Sequence, residues 1–318
     1  MTTSPEPDVS VLVITYNHEV FIGRALESVL MQRGVQFEVI VSEDRSTDGT
    51  LAIVRAAAAA DPRVAVIASD RNLACNDTVL RALRAARGRY VSILDGDDFW
   101  IVDDKLARQV ALLDADPSLA ACFHNARIVV GDAKDPGDKC WTAADHKARI
   151  GLAELWEGNP FATSAGMLRR SALGSIDHWY GELGRARGST MITDWPLYLA
   201  CAERGDIAFD PEPVSGYRLH GAGLYSGLPS RRKLDITAEL YRRMDAGFHY
   251  RHHALAAAGA ASYFTGWMNE FAARGQTALA WRCAWYALRS GGIQRGAGGW
   301  RQWLSDANRS LRWSRPAR

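Results

Sequence analysis

The chain is poor in the features that would mark several common functional classes. Its five cysteines, Cys75, Cys122, Cys140, Cys201 and Cys283, are scattered, odd in number and contain no C-x-x-C pair. That argues against a disulfide framework and against a thiolate zinc site, and predicts free buried thiols in a reducing compartment. No apolar run approaches the roughly 20 residues needed to cross a bilayer. The opening MTTSPEPDVS is polar and acidic, without the apolar stretch of a signal peptide, so a cytosolic location is expected. There is no G-x-x-x-x-G-K-[ST] loop, and no G-x-G-x-x-G after the first strand, which argues against an NTPase and a nicotinamide enzyme. The formal net charge is only +2, and the first two-thirds carries no basic stripe interleaved with aromatics, so no nucleic-acid partner is expected.

What the chain does have is a regular alternation of apolar runs and amphipathic stretches. With 318 residues, 47% hydrophobic and 23% charged, it has an ordinary globular composition. VSVLVITYN (9–17) reads as a strand buried on both faces. Ile22, Ala25, Leu26, Val29 and Leu30 then fall on one helical stripe, which Gly34 ends. FEVIVSED (37–44), VAVIAS (64–69) and YVSILD (90–95) are three more strands, separated by an Ala-rich helix and a helix over 75–87. The β-α-β-α-β-α-β order predicts an α/β fold with a parallel, doubly wound sheet.

Ligands of such sheets bind outside the carboxyl ends of the strands. Three polar clusters sit at those ends: Thr15-Tyr16-Asn17, Glu43-Asp44 and Asp95-Gly96-Asp97-Asp98. Clustered carboxylates at a strand end suit a hard divalent cation such as Mn²⁺ or Mg²⁺, whose charge offsets their repulsion. In extended backbone the D-x-D spacing points Asp95 and Asp97 to one side. Taken alone, the same text also fits an acidic turn, with Asp98 directed away from the crevice as a cap for the helix near 103–116.

VSVLVITYN, VSEDRSTDGT and LDGDDFW, in that order at successive strand ends, resemble the family 2 glycosyltransferases. These are inverting enzymes with the GT-A fold, a Rossmann-like, mostly parallel sheet with helices on both faces. The resemblance covers roughly residues 9–225. It implies that Thr15, Tyr16 and Asn17, with Glu19 nearby, form the first nucleotide-contacting loop, and that Asp44 reads a pyrimidine base. Asp48-Gly49-Thr50 would complete that loop. Asn72 falls where the family often has Asn-x-Gly, although RNLACND lacks the glycine. Asp97 is implied as the metal ligand, and Asp95 as the contact to ribose or sugar.

The family also carries an acidic motif about 90–100 residues past the D-x-D. ITDWPLYLA matches it, with Asp194 in the place of the general base and Thr193 where a Glu is usual. Asp194 also opens a helix, where an aspartate often serves only as a cap. YRLHGAG (217–223) resembles a later family segment, in which His220 would ligate the metal or touch the diphosphate and Arg218 would steady phosphate charge. Trp100 and Trp195 flank the acidic motifs, either stacking on sugar or packing, and His124 is expected to be structural.

The resemblance thus implies a metal-dependent, inverting, hexosyltransferase-type enzyme using a UDP- or dTDP-sugar as co-substrate. Its acceptor would be a carbohydrate, lipid-linked sugar, peptide or small molecule. Two alternatives are a non-catalytic nucleotide-sugar or carbohydrate-binding protein and a sugar nucleotidyltransferase. The expected domains are 1–228, catalytic, and 229–318, helical. In the latter, Phe264, Trp267, Met268 and Phe271 form one stripe, and Leu279, Cys283 and Tyr286 another. The C-terminal region is a candidate for acceptor, oligomer or membrane-surface contact. Arg301, Arg309, Arg312, Arg315 and Arg318 with Trp300, Trp303, Leu311 and Trp313 suggest either an amphipathic membrane-surface helix at the inner face or a helix with a solvated basic side.

Overall fold

The computed structural model describes residues 6–73, 75–174, 176–185, 194–221 and 227–291. Two compact units are present. The described part of the first comprises residues 6–73, 75–151, 160–174, 176–185, 194–221 and 227; that of the second comprises 152–159 and 228–291. The residues carrying the basic C-terminal pattern, 300–318, lie outside the described residues, as does Thr193.

The first unit begins with β1 (Val9–Thr15), α1 (Ile22–Leu30), β2 (Phe37–Glu43), α2 (Thr50–Ala60), β3 (Val64–Ala68), α3 (Cys75–Ala85) and β4 (Tyr90–Asp95). β1 pairs in parallel with β2 and with β4, and β2 in parallel with β3. Val9, Val11 and Val13 of β1 and Val39 and Val41 of β2 are fully buried, as expected where helices cover both faces of a parallel sheet. The predicted stripe of α1 is the face that enters the core: Ile22, Ala25, Leu26 and Val29 are buried, and Leu30 packs against them. Truncating such a residue, Leu26→Ala for example, typically costs about 2–5 kcal/mol.

Beyond β4 come β5 (Phe99–Trp100), α4 (Lys105–Ala115), β6 (Leu119–Val130) and β7 (Arg149–Ile150). After α5 (Leu152–Glu157), which belongs to the second unit, follow β8 (Gly166–Arg169), α6 (Arg170–Leu173), α7 (Asp177–Arg185), α8 (Asp194–Ala202) and β9 (Asp206–Leu219). The sheet order is β3-β2-β1-β4-β8-β6-β9-β5, with β7 on β9. The sheet is mostly parallel, as the resemblance implied, with antiparallel pairings beyond β4. β8 runs antiparallel to both β4 and β6, while β6 and β9 are parallel to one another. The local pattern around β8, four residues long, carries no direction, so its orientation was not legible in the sequence.

The second unit adds α9 (Ser230–Gly247), α10 (His253–Ala273) and α11 (Thr277–Arg289) to α5. Tyr241 of α9 donates its hydroxyl to the Trp156 carbonyl at 2.8 Å. α10 approaches α5 so closely that a Cβ on Gly259 would overlap that same carbonyl. Phe264, Met268, Phe271 and Cys283 are buried, whereas Trp267 is substantially exposed. Cys122 and Cys201 are also buried free thiols, Cys140 is half-buried, and no disulfide occurs among the described residues. No described helix is long and apolar enough to cross a membrane.

Candidate active site

Parallel pairing of β1, β2 and β4 brings their carboxyl ends to one edge. Thr15 is registered against Glu43 and Ile14 against Asp95. The Asp44 amide donates to the Thr15 carbonyl at 3.0 Å, and the Gly96 amide to the Ile14 carbonyl at 2.8 Å. Three polar clusters far apart in sequence are therefore adjacent.

The loop after β1 is stapled to the loop after β2. Asn17 adopts a left-handed backbone, φ 56°, which asparagine tolerates better than most residues. Its side-chain oxygen accepts the Thr47 amide at 2.8 Å. Glu19 Oε2 accepts the Gly49 amide at 2.7 Å, and Asp48 Oδ2 accepts the Glu19 amide at 3.1 Å. Glu19 and Asn17 thus hold the two loops together, while the Tyr16 ring is exposed. Asp44 is buried; its Oδ1 accepts the Leu73 amide at 2.8 Å, and Asn72 donates to its carbonyl at 3.2 Å. The segment lacking the family's glycine is nevertheless brought against Asp44.

The acidic turn after β4 is the electrostatic centre. Gly96 is required there by close approach: a Cβ would come within 2.7 Å of His18 Nδ1 and Thr15 Oγ1. Burial pushes the Asp95 carboxyl up to about 8, reinforced by the charges of Asp97 and Asp194. Burial acts to raise Asp97 too, but the His220 hydrogen bond and the charge of His18 outweigh it and hold that carboxyl below its usual range. His220 Nε2 and Asp97 Oδ2 are 2.9 Å apart, and this hydrogen bond raises the imidazole above its ordinary value. His18, which sequence reasoning passed over, is kept below its ordinary value by burial and by His220, against the pull of Asp97 and Asp48. The signal for it was present in TYNHE, one residue past the loop that was singled out.

Asp98 does not point toward α4 or cap it. It is buried, and its Oδ1 accepts the Arg218 amide from β9 at 2.7 Å. Burial, with the charges of Asp97 and Asp95, holds it well above the carboxylate range. The two-residue β5, paired to β9, turns Asp98 inward instead. Arg218 is held by backbone carbonyls of the same region. Its guanidinium donates to the carbonyls of Asp97, at 2.9 Å, Gly131 and Ala133, and lies 4.6 Å over the Phe21 ring. It therefore clamps the acidic turn to β9 and to the loop after β6.

Asp194, the first residue of α8, accepts the Thr163 hydroxyl at 3.3 Å and lies near enough to Asp95 to raise it. Tyr217, another residue the sequence did not single out, is pushed up by burial and by Asp98, Asp95, Asp194 and Asp97 together. Its ring centroid is 4.6 Å from that of Trp141, which is exposed. Trp100 and Trp195, in contrast, are buried and pack. Trp100 Nε1 donates to the Ser164 carbonyl at 2.8 Å. His124 is buried beside Gln109, as a structural histidine should be.

No three His, Cys, Asp or Glu donors form a closed metal cage among the described residues. Asp97 and His220 nevertheless fit a cation that takes its remaining ligands from a bound diphosphate, the usual habit of Mg²⁺. The desolvated acids Asp95, Asp97 and Asp98 form a crowded carboxylate set that one such ion would relieve.

The profile of "Glycosyl transferase family 2" matches residues 10–176, more than half of the chain. The chain belongs to this family. The match contains the β1 loop, Asp44 and the acidic turn, but ends before Asp194, Arg218 and His220. An uncharacterized protein of Mycobacterium tuberculosis is 31% identical over 229 residues, 71% of this chain and 63% of that protein. The succinoglycan biosynthesis protein ExoO of Rhizobium meliloti is 45% identical over 109 residues, 34% of this chain and 30% of its own. The chain thus aligns with less than two-thirds of the length of these relatives. Among solved structures, S. aureus TarS 1-349 in complex with UDP-GlcNAc superimposes over 98% of this chain and 93% of its own, with a TM-score of 0.57 at 18% identity. The Pyrobaculum calidifontis mannosyltransferase PcManGT in complex with GDP-Man and Mn2+ gives 0.56 at 20% identity, over 98% and 89%. Both likenesses establish the GT-A-type fold of this family member.

Proposed function

We propose that the protein is a metal-dependent, inverting glycosyltransferase that moves a sugar from a UDP- or dTDP-sugar to an acceptor hydroxyl. The observation that carries this reading is the convergence of Asp95, Asp97 and Asp194 beside the β1 and β2 loops in a chain of family 2. Asp44 binds the base, with Asn72 against it, and the stapled 15–19 loop supports the nucleoside. Asp95 meets the ribose or the sugar. Asp97 and His220 hold the divalent ion, Mn²⁺ or Mg²⁺, which when bound stabilises the charge that builds on the diphosphate as it leaves. Arg218 keeps Asp97 in place rather than touching phosphate.

Asp194 is the general base. In a single inverting displacement the acceptor oxygen attacks the anomeric carbon, the bond to the diphosphate breaks, and the acceptor's proton passes to the Asp194 carboxylate. One carboxylate suffices because no covalent sugar–enzyme intermediate forms. The acceptor is a glycan, lipid-linked sugar, peptide or metabolite, and the site of action is cytoplasmic. Transfer from a panel of nucleotide sugars, measured with Mn²⁺ and again after chelation, tests the reading. Donor binding without transfer or hydrolysis under any condition would make the protein a nucleotide-sugar-binding module instead.

A further inference from the structure

The solvent face of α11 is apolar where a surface helix is ordinarily polar. Trp281 is 60% exposed, Trp285 49% and Leu288 49%, and Ala278 is exposed beside them. At 3.6 residues per turn these four positions fall within an arc of about 80°. No acid occurs anywhere in TALAWRCAWYALR. Of its two arginines, Arg282 is turned away to Asp235 on α9, Nη2 to Oδ1 2.6 Å. Arg289 lies at the end of the apolar face, its guanidinium 4.6 Å from the Trp285 ring centroid. The opposite side of the helix, Ala280, Cys283, Ala284 and Ala287, is buried, so the tryptophans are not needed for the core.

Charge distinguishes the candidate occupants of this face. Residues 277–318 contain eight arginines and a single acid, Asp306, whereas the chain as a whole has 38 basic and 36 acidic residues. The rest of the chain is therefore net acidic, and the positive charge is concentrated on and directly after the exposed tryptophans. A second copy paired through this stretch would offer it no negative charge but that of Asp306. An anionic surface of headgroups over acyl chains answers both features: the indoles and Leu288 enter the headgroup–acyl boundary, Arg289 beside Trp285 meets lipid phosphate, and the basic composition of the sequence that follows favours the same surface. We propose that the α11 face docks the protein on an anionic phospholipid bilayer.

The test is co-sedimentation of the full chain with phosphatidylcholine vesicles, with and without phosphatidylglycerol. Binding is expected only to the phosphatidylglycerol vesicles and should weaken as salt is raised. The combined variant Trp281→Ser, Trp285→Ser, Leu288→Ser should lose affinity about tenfold or more while its donor hydrolysis and melting temperature stay unchanged. Failure of the wild type to bind phosphatidylglycerol vesicles would overturn the proposal. So would equal binding by the variant, which would leave charge alone responsible. A wild-type dimer by light scattering that the variant dissolves, without vesicle binding, would assign the face to a second copy instead.

Discussion

His220 Nε2 lies 2.9 Å from Asp97 Oδ2 across 123 residues of sequence, joining the end of β9 to the acidic turn after β4. The pair explains how one carboxyl of the turn stays ionised while its neighbours Asp95 and Asp98 are raised. Asp97→Asn keeps the shape but removes the charge that would hold a cation. Transfer should fall about 10²–10³-fold, the scale of losing one preorganised electrostatic contact. Raising the Mn²⁺ concentration should recover part of it in His220→Ala but not in Asp97→Asn. Full activity of Asp97→Asn in chelated buffer would rule out the metal-dependent mechanism.

Asp194→Asn should lower kcat about 10²–10⁴-fold, the usual contribution of a positioned base. The affinity for UDP, measured by calorimetry, should hardly change. A pH profile of kcat that loses its acid limb in the variant would separate a base from a helix cap. A cap alone would instead lower the melting temperature and leave kcat nearly intact.

Asp44→Ala removes a carboxylate that is buried between the Leu73 amide and the β1–β2 edge. Loss of a charged hydrogen bond to a base N–H corresponds to about 1.5–3 kcal/mol, or roughly 10–100-fold in donor KM. Because the base lies away from the reacting carbon, kcat should move less than KM. Comparing uridine, thymidine and guanosine diphosphates as inhibitors of wild type and variant checks whether this residue sets base preference.

Much of this site could be read before folding because its polar residues directly follow strands with unmistakable apolar runs. Thr15, Asp44 and Asp95 are examples: parallel pairing alone makes them neighbours. What could not be read depends on strands with weak local signals. Asp98 turns inward because the two-residue β5 pairs with β9, and Arg218 Nε and Nη1 donate to carbonyls of two other segments. His18 and Tyr217 enter the acidic cluster only through contacts across the sheet edge; His18 adjoins the predicted β1 loop in TYNHE, whereas nothing in the immediate sequence of Tyr217 distinguishes it from a surface residue.

Lys105 offers a test of the fold's polar interior. It is fully buried, donating to Ser92 Oγ at 2.9 Å, Gln109 Oε1 at 2.8 Å and the Gly166 carbonyl at 3.1 Å, with the Trp100 ring at 4.4 Å. It thereby ties β4, which carries the acidic turn, to β8 and α4. Burial pushes the ammonium down to about 7. A lysine lowered in the folded state binds fewer protons there than in the unfolded chain, between pH 7 and its ordinary value of 10.5. Its contribution to stability therefore rises with pH across that window, at most by about 1.4 kcal/mol per pH unit, and is flat below it. Lys105→Met abolishes this dependence and leaves the Gly166 carbonyl and Gln109 with one partner fewer, a cost of about 1–3 kcal/mol. Urea unfolding at pH 7, 8 and 9 should show the gap between wild type and variant widening as pH rises. A gap that stays constant would mean that the three acceptors keep Lys105 charged throughout.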